Sequence, residues 1–165
     1  MTIPAPLRAR VIHLACDHAG FAHKEAVREW LCSLGLSVVD HGAYAYNPDD
    51  DFPDFISPAA AAVAKSPETN CALMFGGSGQ GEAMVANRFA HVRATVYYGG
   101  PDDILLLSRE HNDANVLSIG ARFVSVDDTK RVAWIWLTTE PARASKYDRR
   151  NQKVEAITRT LRRLA

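Results

Sequence analysis

The sequence predicts an α/β protein: one doubly wound domain, a Rossmann-like three-layer fold with a five-stranded parallel sheet and helices on both faces. Three observations lead there. Short apolar runs alternate with longer amphipathic ones, the pattern of βαβ units. The 165 residues, 47% apolar and 23% charged, suit about one globular domain with its own core. No internal repeat or long linker divides them. The expected domain spans 1–165, with an N-terminal extension at 1–10 and a basic C-terminal helix at 148–165.

Val11–Cys16 reads as a buried strand. Phe21–Leu34 reads as a helix, because Ala22, Ala26, Val27, Trp30, Leu31 and Leu34 recur at helical spacing before Gly35. Leu36–Val39 is a second strand. An acidic loop follows, carrying Asp40, Asp49, Asp50, Asp51 and Asp54 without one Lys or Arg. Phe55–Lys65 is an alanine-rich helix that tolerates Pro58 in its first turn. Cys71–Phe75 is the third strand, leading through GGSGQG into a helix from Glu82 to Phe89. Ala94–Tyr98 is the fourth strand, and Pro101–Arg109 a helix opened by a proline and two aspartates. Val116–Ile119 is the fifth strand, and Asp128–Leu137 a helix capped by Asp127 or Asp128. Within Asp148–Leu164, Val154, Ile157, Leu161 and Leu164 share one stripe.

Basic and acidic residues both number 19, so the formal net charge is zero. That argues against a nucleic-acid binder, which carries a basic excess. No apolar run approaches the ~20 residues of a membrane span, and the one near the N-terminus is too short for a secretion signal. Cys16, Cys32 and Cys71 form no CxxC pair and sit in apolar stretches. They read as reduced, buried thiols of a cytoplasmic protein.

Ligands of doubly wound sheets bind beyond the carboxyl ends of the strands, so the loops after each strand are the places to search. Gly76-Gly77-Ser78-Gly79-Gln80-Gly81 is the sharpest feature. Its glycines let successive N–H groups point into one hollow at a helix start, a site for a phosphate, a carboxylate or a transient oxyanion. A tight strand–helix crossover would also need small residues there. The dinucleotide, P-loop and hydrolase-elbow patterns all fail on this sequence. Glu82 follows directly. It is either an acid that complements the helix dipole or a base beside an oxyanion hollow, the pair that proton abstraction next to a carbonyl requires.

Asp17-His18 closes the first strand, placed for a ligand or for capping. His13, His18 and His23 recur every five residues, a spacing that suits no metal face, and no cysteine pair stands nearby. His111-Asn112 ends a helix and offers proton donors and acceptors, or simply a surface terminus. From Arg143 to Arg163 eight Lys or Arg face two acids. Arg149 and Lys153, four apart, share a helix face that could clamp a phosphate, with Arg122 a third member.

Together, DHAG at 17–20, GGSGQGEAMVANR at 76–88 and REHNDANVLSIGAR at 109–122 resemble the ribose-5-phosphate isomerase B family, which includes the galactose-6-phosphate and allose-6-phosphate isomerases. The resemblance runs from about Val11 to Ile157. It implies a homodimer with shared sites and a metal-free, cofactor-free aldose–ketose isomerisation of a sugar phosphate through an enediolate, in the pentose phosphate pathway. By the resemblance His111 assists ring opening, Asn112 binds substrate and Asp17 holds sugar hydroxyls. His18, Arg122, Arg149 and Lys153 bind phosphate, the arginines from the second subunit, and Tyr46 lines the sugar pocket. Lys153 stands where the family usually carries arginine. One branch of the family uses a cysteine base at the position of Gly76; the other uses a glutamate in a GGSGxGE pattern, reproduced here at Gly76–Glu82. Glu82 is thereby the expected base, Ser78 helps hold the carbonyl oxygen or orients the base, and Gly77, Gly79, Gln80 and Gly81 bind the substrate oxygens.

Three alternatives stay open on the sequence. One is the same chemistry on a six-carbon phosphate. Another is a serine hydrolase built on Ser78, His111 and Asp102 or Asp103. The third is a non-catalytic sugar-phosphate binding protein.

Overall fold

A computed structural model describes residues 3–164, apart from the side chain at 162. Its strands are β1 (Val11–Cys16), β2 (Ser37–Asp40), β3 (Asn70–Gly76), β4 (Ala94–Tyr97) and β5 (Val116–Gly120). They form one sheet in the order β2-β1-β3-β5-β4, with every pairing parallel. The helices are α1 (Ala5–Arg8), α2 (Phe21–Ser33), α3 (Phe52–Lys65), α4 (Gln80–Ala86), α5 (Asp103–Glu110), α6 (Val126–Thr138) and α7 (Ser145–Leu164).

Strand alternation sorts the core into two layers. Ile12, Leu14, Cys16, Leu73, Phe75, Leu117 and Ile119 face Val27 and Leu31 of α2, Leu105 of α5 and Trp136 of α6. Ala15, Ala72, Met74 and Val116 face Ile56, Ala59, Ala60 and Val63 of α3. The second layer is lined by alanines on both sides, so α3 lies close to the sheet. The α/β expectation therefore holds, with its five parallel strands.

Several details differ from the sequence reading, each for a local reason. The third helix starts at Phe52, not Phe55, because Asp51 is extended and Pro53 supplies the first-turn proline; Pro58 lies inside the helix. The cap of α6 is Ser125, whose hydroxyl accepts from the Asp128 N–H at 3.1 Å, so that helix begins at Val126. The glycine loop yields to α4 already at Gln80, with Gly79 left-handed at φ 77°. This helix stops at Asn87, whose side chain pairs with the backbone of Ala94. The basic helix begins at Ser145 rather than 148, and a short α1 lies within the N-terminal extension. Cys16 and Cys71 are buried as expected, but Cys32 is exposed. All three are free thiols. Among the described residues no helix is long and apolar enough to cross a membrane.

A buried cation helps launch the acidic loop. Lys24 on α2 is wholly buried and donates to Asp40 at 2.6 Å and Glu25 at 2.9 Å. The other oxygen of Asp40 accepts from the Gly42 N–H at 2.9 Å, which turns the chain over the carboxyl end of β1.

Candidate active site

The chain leaves β1 to build β2 on one side and returns to build β3 on the other. The carboxyl ends of β1 and β3 therefore flank the crevice at the sheet's switch point. Asp17 follows β1 and is buried at 9% exposure. Its carboxylate accepts from the Gly20 N–H at 3.1 Å. Only glycine fits at position 20, since a Cβ there would lie 2.3 Å from the Phe75 carbonyl oxygen.

The glycine loop is stitched to the end of β5. Gly76 O accepts from Ala121 N–H at 2.8 Å, Gly77 O from Arg122 N–H at 3.1 Å, and Gly79 O from the Ser118 hydroxyl at 2.7 Å. These bonds occupy the carbonyls of the three glycines. The amides of Gly77, Ser78 and Gly79 have no acceptor among the described residues. The loop is thus a set of free donors, suited to a developing oxyanion.

Glu82 lies in the first turn of α4 and is 4% exposed. Its carboxyl group rests over Gly76, where a Cβ would come within 1.9 Å of Oε1. Burial pushes the Glu82 carboxyl above the ordinary glutamate range; a hydrogen bond from its own backbone opposes this, and the Asp17 charge adds to the push. A carboxyl held in this way, beside unpaired donors, can both take and return a proton.

Three further groups line this end. The Arg122 guanidinium lies over Gly77, where a Cβ would sit 3.1 Å from Cζ. Arg122 thus lies against its own chain's glycine loop, apart from Arg149 and Lys153. Ser78 and Gln80 are exposed on the rim, and the Gln80 N–H donates to the Ser78 hydroxyl at 3.3 Å. His18 pairs through Nδ1 with Asp50 at 2.7 Å, and Tyr46 meets the imidazole edge-on at 6.3 Å between ring centroids.

Sequence reasoning missed two contributors, Asp50 and Phe52. The Phe52 ring packs on Gly81, where a Cβ would lie 2.9 Å from it, and closes the crevice from α3. Its only sequence signal was an aromatic next to the acidic loop. Asp17, His18 and Asp50 bring potential ligand atoms within 4.8 Å of one another, the one such cluster among the described residues. Its His18 Nδ1 is already engaged by Asp50.

The remaining candidates lie elsewhere. Helix α5 runs from the carboxyl end of β4 back to the amino end of β5, so His111 and Asn112 sit at the opposite end of the sheet. Five residues of β5 separate the two ends by about 16 Å. Asn112 O accepts from Arg93 Nε at 2.9 Å, just before β4. His111 stacks on Tyr147 at 4.0 Å between centroids, and its carbonyl accepts from Asn151 at 3.2 Å. Arg149 and Lys153 lie exposed on the same helix, α7, with no ion pair to either among the described residues. In a single chain the sequence-predicted site residues therefore fall into two groups, one at each end of the sheet. The separation also dismantles a Ser78–His111 hydrolase, and Asp102 is already paired with Arg131 at 2.8 Å.

Comparison with known proteins adds the family. The sequence model of the Ribose/Galactose Isomerase family fits residues 12–157. Ribose-5-phosphate isomerase B of Escherichia coli (strain K12) is 36% identical over 149 residues, covering 89% of this chain and 93% of that protein. The protein of the same name from Mycobacterium leprae is 31% identical over 149 residues, covering 90% of each. The crystal structure of ribose-5-phosphate isomerase B from Mycoplasma genitalium, with bound ribulose-5-phosphate, superposes with a TM-score of 0.87 at 28% identity, covering 92% of this chain and 97% of that one. With its parallel sheet, its stitched glycine loop and this extent of likeness, the chain belongs to the ribose/galactose isomerase family.

Proposed function

We propose that this protein interconverts ribose 5-phosphate and ribulose 5-phosphate, with Glu82 as the base. The observation that carries the reading is the buried Glu82 carboxyl resting over Gly76, beside the unpaired amides of Gly77–Gly79. In the open-chain aldose, Glu82 takes the proton from C2, and the electron pair moves through C1 onto O1. The loop amides, with Gln80 and Gly81 at the rim, hold that oxygen, and Ser78 helps to orient it. A proton passes from O2 to O1, and Glu82 returns its own proton to C1, leaving the ketose. Asp17 accepts from the sugar hydroxyls, Tyr46 walls the pocket, and Arg122 and His18 meet the phosphate. Positioning and oxyanion stabilisation supply most of the acceleration, so neither a cofactor nor a metal is required.

The cyclic sugar must first open, and that role falls to His111, with Asn112 beside it. Because these residues lie at the far end of their own sheet, they serve the crevice of a second copy. Arg149 and Lys153 of that copy then complete the phosphate clamp. The reading is thus a homodimer with two shared sites. The stripe Val154, Ile157, Leu161 and Leu164 on α7 supports it, being apolar surface left exposed among the described residues of the single chain. Free thiols, one of them exposed, fit a reducing compartment such as the cytoplasm.

Direct conversion of ribose 5-phosphate in EDTA tests the reading. Turnover by the native protein, lost in Glu82→Gln, supports it; no turnover sinks it. A six-carbon phosphate is the second reading, favoured by the family's span over ribose and galactose isomerases. The ratio of kcat/KM on ribose 5-phosphate to that on allose 6-phosphate or galactose 6-phosphate decides between them.

A further inference from the structure

Resting on the sugar-phosphate reading for its kinetics but not for its geometry, we propose that Asp50 is a positioning residue that locks the His18 imidazole for substrate contact. Residues 44–49 of the acidic loop are exposed throughout, yet the Asp50 side chain at their end is only 4% exposed. One of its oxygens, Oδ1, accepts twice: from the His18 backbone N–H at 3.1 Å and from the His18 ring Nδ1 at 2.7 Å. A carboxylate offers acceptors only, so the proton of this bond sits on Nδ1, and Nε2 is the ring atom left for a ligand. Tyr46 meets the ring edge-on. The imidazole is therefore held on two sides by one loop.

The other Asp50 oxygen, Oδ2, is buried and has no hydrogen-bond partner among the described residues. Stranding a carboxylate oxygen is unfavourable, and an uncharged residue of similar shape would avoid the cost. A destabilising group at this point fits a role in the site rather than in the core. The double bond to His18 also ties the loop after β2 to the turn after β1, so His18 orientation and the span of the crevice are set together. Asp17 lies in the same cluster, within 4.8 Å.

Nitrogen-15 NMR of the imidazoles, with steady-state kinetics on ribose 5-phosphate, tests this in Asp50→Ala and Asp50→Asn. His18 should carry its proton on Nδ1 in the native protein and in Asp50→Asn, whose amide oxygen still accepts, and should lose that preference in Asp50→Ala. In Asp50→Ala, KM should rise about 10-fold or more while kcat stays within about 3-fold, and Asp50→Asn should restore most of it. Asp50→Asn should also melt no lower than the native protein, an outcome opposite to that of a structural carboxylate. An unchanged His18 tautomer or unchanged KM in folded Asp50→Ala would overturn the proposal, as would a joint loss of kcat and melting temperature in both variants. A native protein without turnover would overturn the isomerase reading instead, and the nitrogen signals would still decide the role of Asp50.

Discussion

At the residue scale, one contact explains why position 76 carries no side chain. The Glu82 carboxyl fills the volume that a Cβ at 76 would enter, so this placement of the carboxyl and a side chain at 76 exclude each other. Gly76→Ala should expel the carboxyl and lower kcat at least about 10²-fold, an effect read by steady-state turnover. Glu82→Gln keeps the shape without the base and should lower kcat by about 10²–10⁴-fold. The same substitution should stabilise the fold, and pH gives the sign. The Glu82 carboxyl titrates higher when folded than when unfolded, so its ionised form opposes folding as pH rises through the folded value. Melting curves should place Glu82→Gln above the native protein at neutral pH and converge with it in acid. Asp17, Glu82 and the glycine loop were legible in the sequence because one short segment after a strand determines each of them. Asp50 and Phe52 were not, because their roles depend on how an 11-residue loop folds back over β1.

At the element scale, strands were the most legible and helix starts the least. The central strands β1, β3 and β5 are buried on both faces, so apolar runs marked them to within a residue. The start of α3 was hidden because two prolines competed for the first turn, and Pro53 rather than Pro58 took it. The start of α6 was hidden behind two aspartates when the serine before them was the cap. Strand β1 also carries a polar defect. His13 pairs with His41 at 2.8 Å, and its Nε2 is buried without a partner among the described residues. Burial, with the neighbouring His41, pushes His13 down to about 4, and burial lowers His41 as well. Unfolded histidine binds its proton near 6.5, so between about 6.5 and 4 the unfolded chain holds more protons. Stability is therefore lost as pH falls through that window, by at most about 1.4 kcal/mol per pH unit for each such histidine. Denaturant midpoints from pH 7 to 4.5 should show the decline, and His13→Asn should flatten it.

At the scale of the whole molecule, the fold separates the residues that the motifs singled out. His111 and Glu82 lie in motifs that follow one another along the chain, yet a helix antiparallel to the sheet carries His111 to the opposite end. Parallel topology alone contains that information: residues after a strand sit at one end and residues after a helix at the other. Under the proposed function, a second copy completes a site divided in this way. Replacing Val154, Ile157 and Leu161 by polar residues should therefore yield a folded monomer without activity, seen by sedimentation and turnover together. The most direct test is complementation between two inactive variants, Glu82→Gln and the double variant Arg149→Ala/Lys153→Ala. Unfolded together and refolded as an equal mixture, they should regain roughly a quarter of native activity, because half the dimers are mixed and each of these holds one intact site. A mixture no more active than its components would contradict the shared site and return His111, Arg149 and Lys153 to the surface of their own chain.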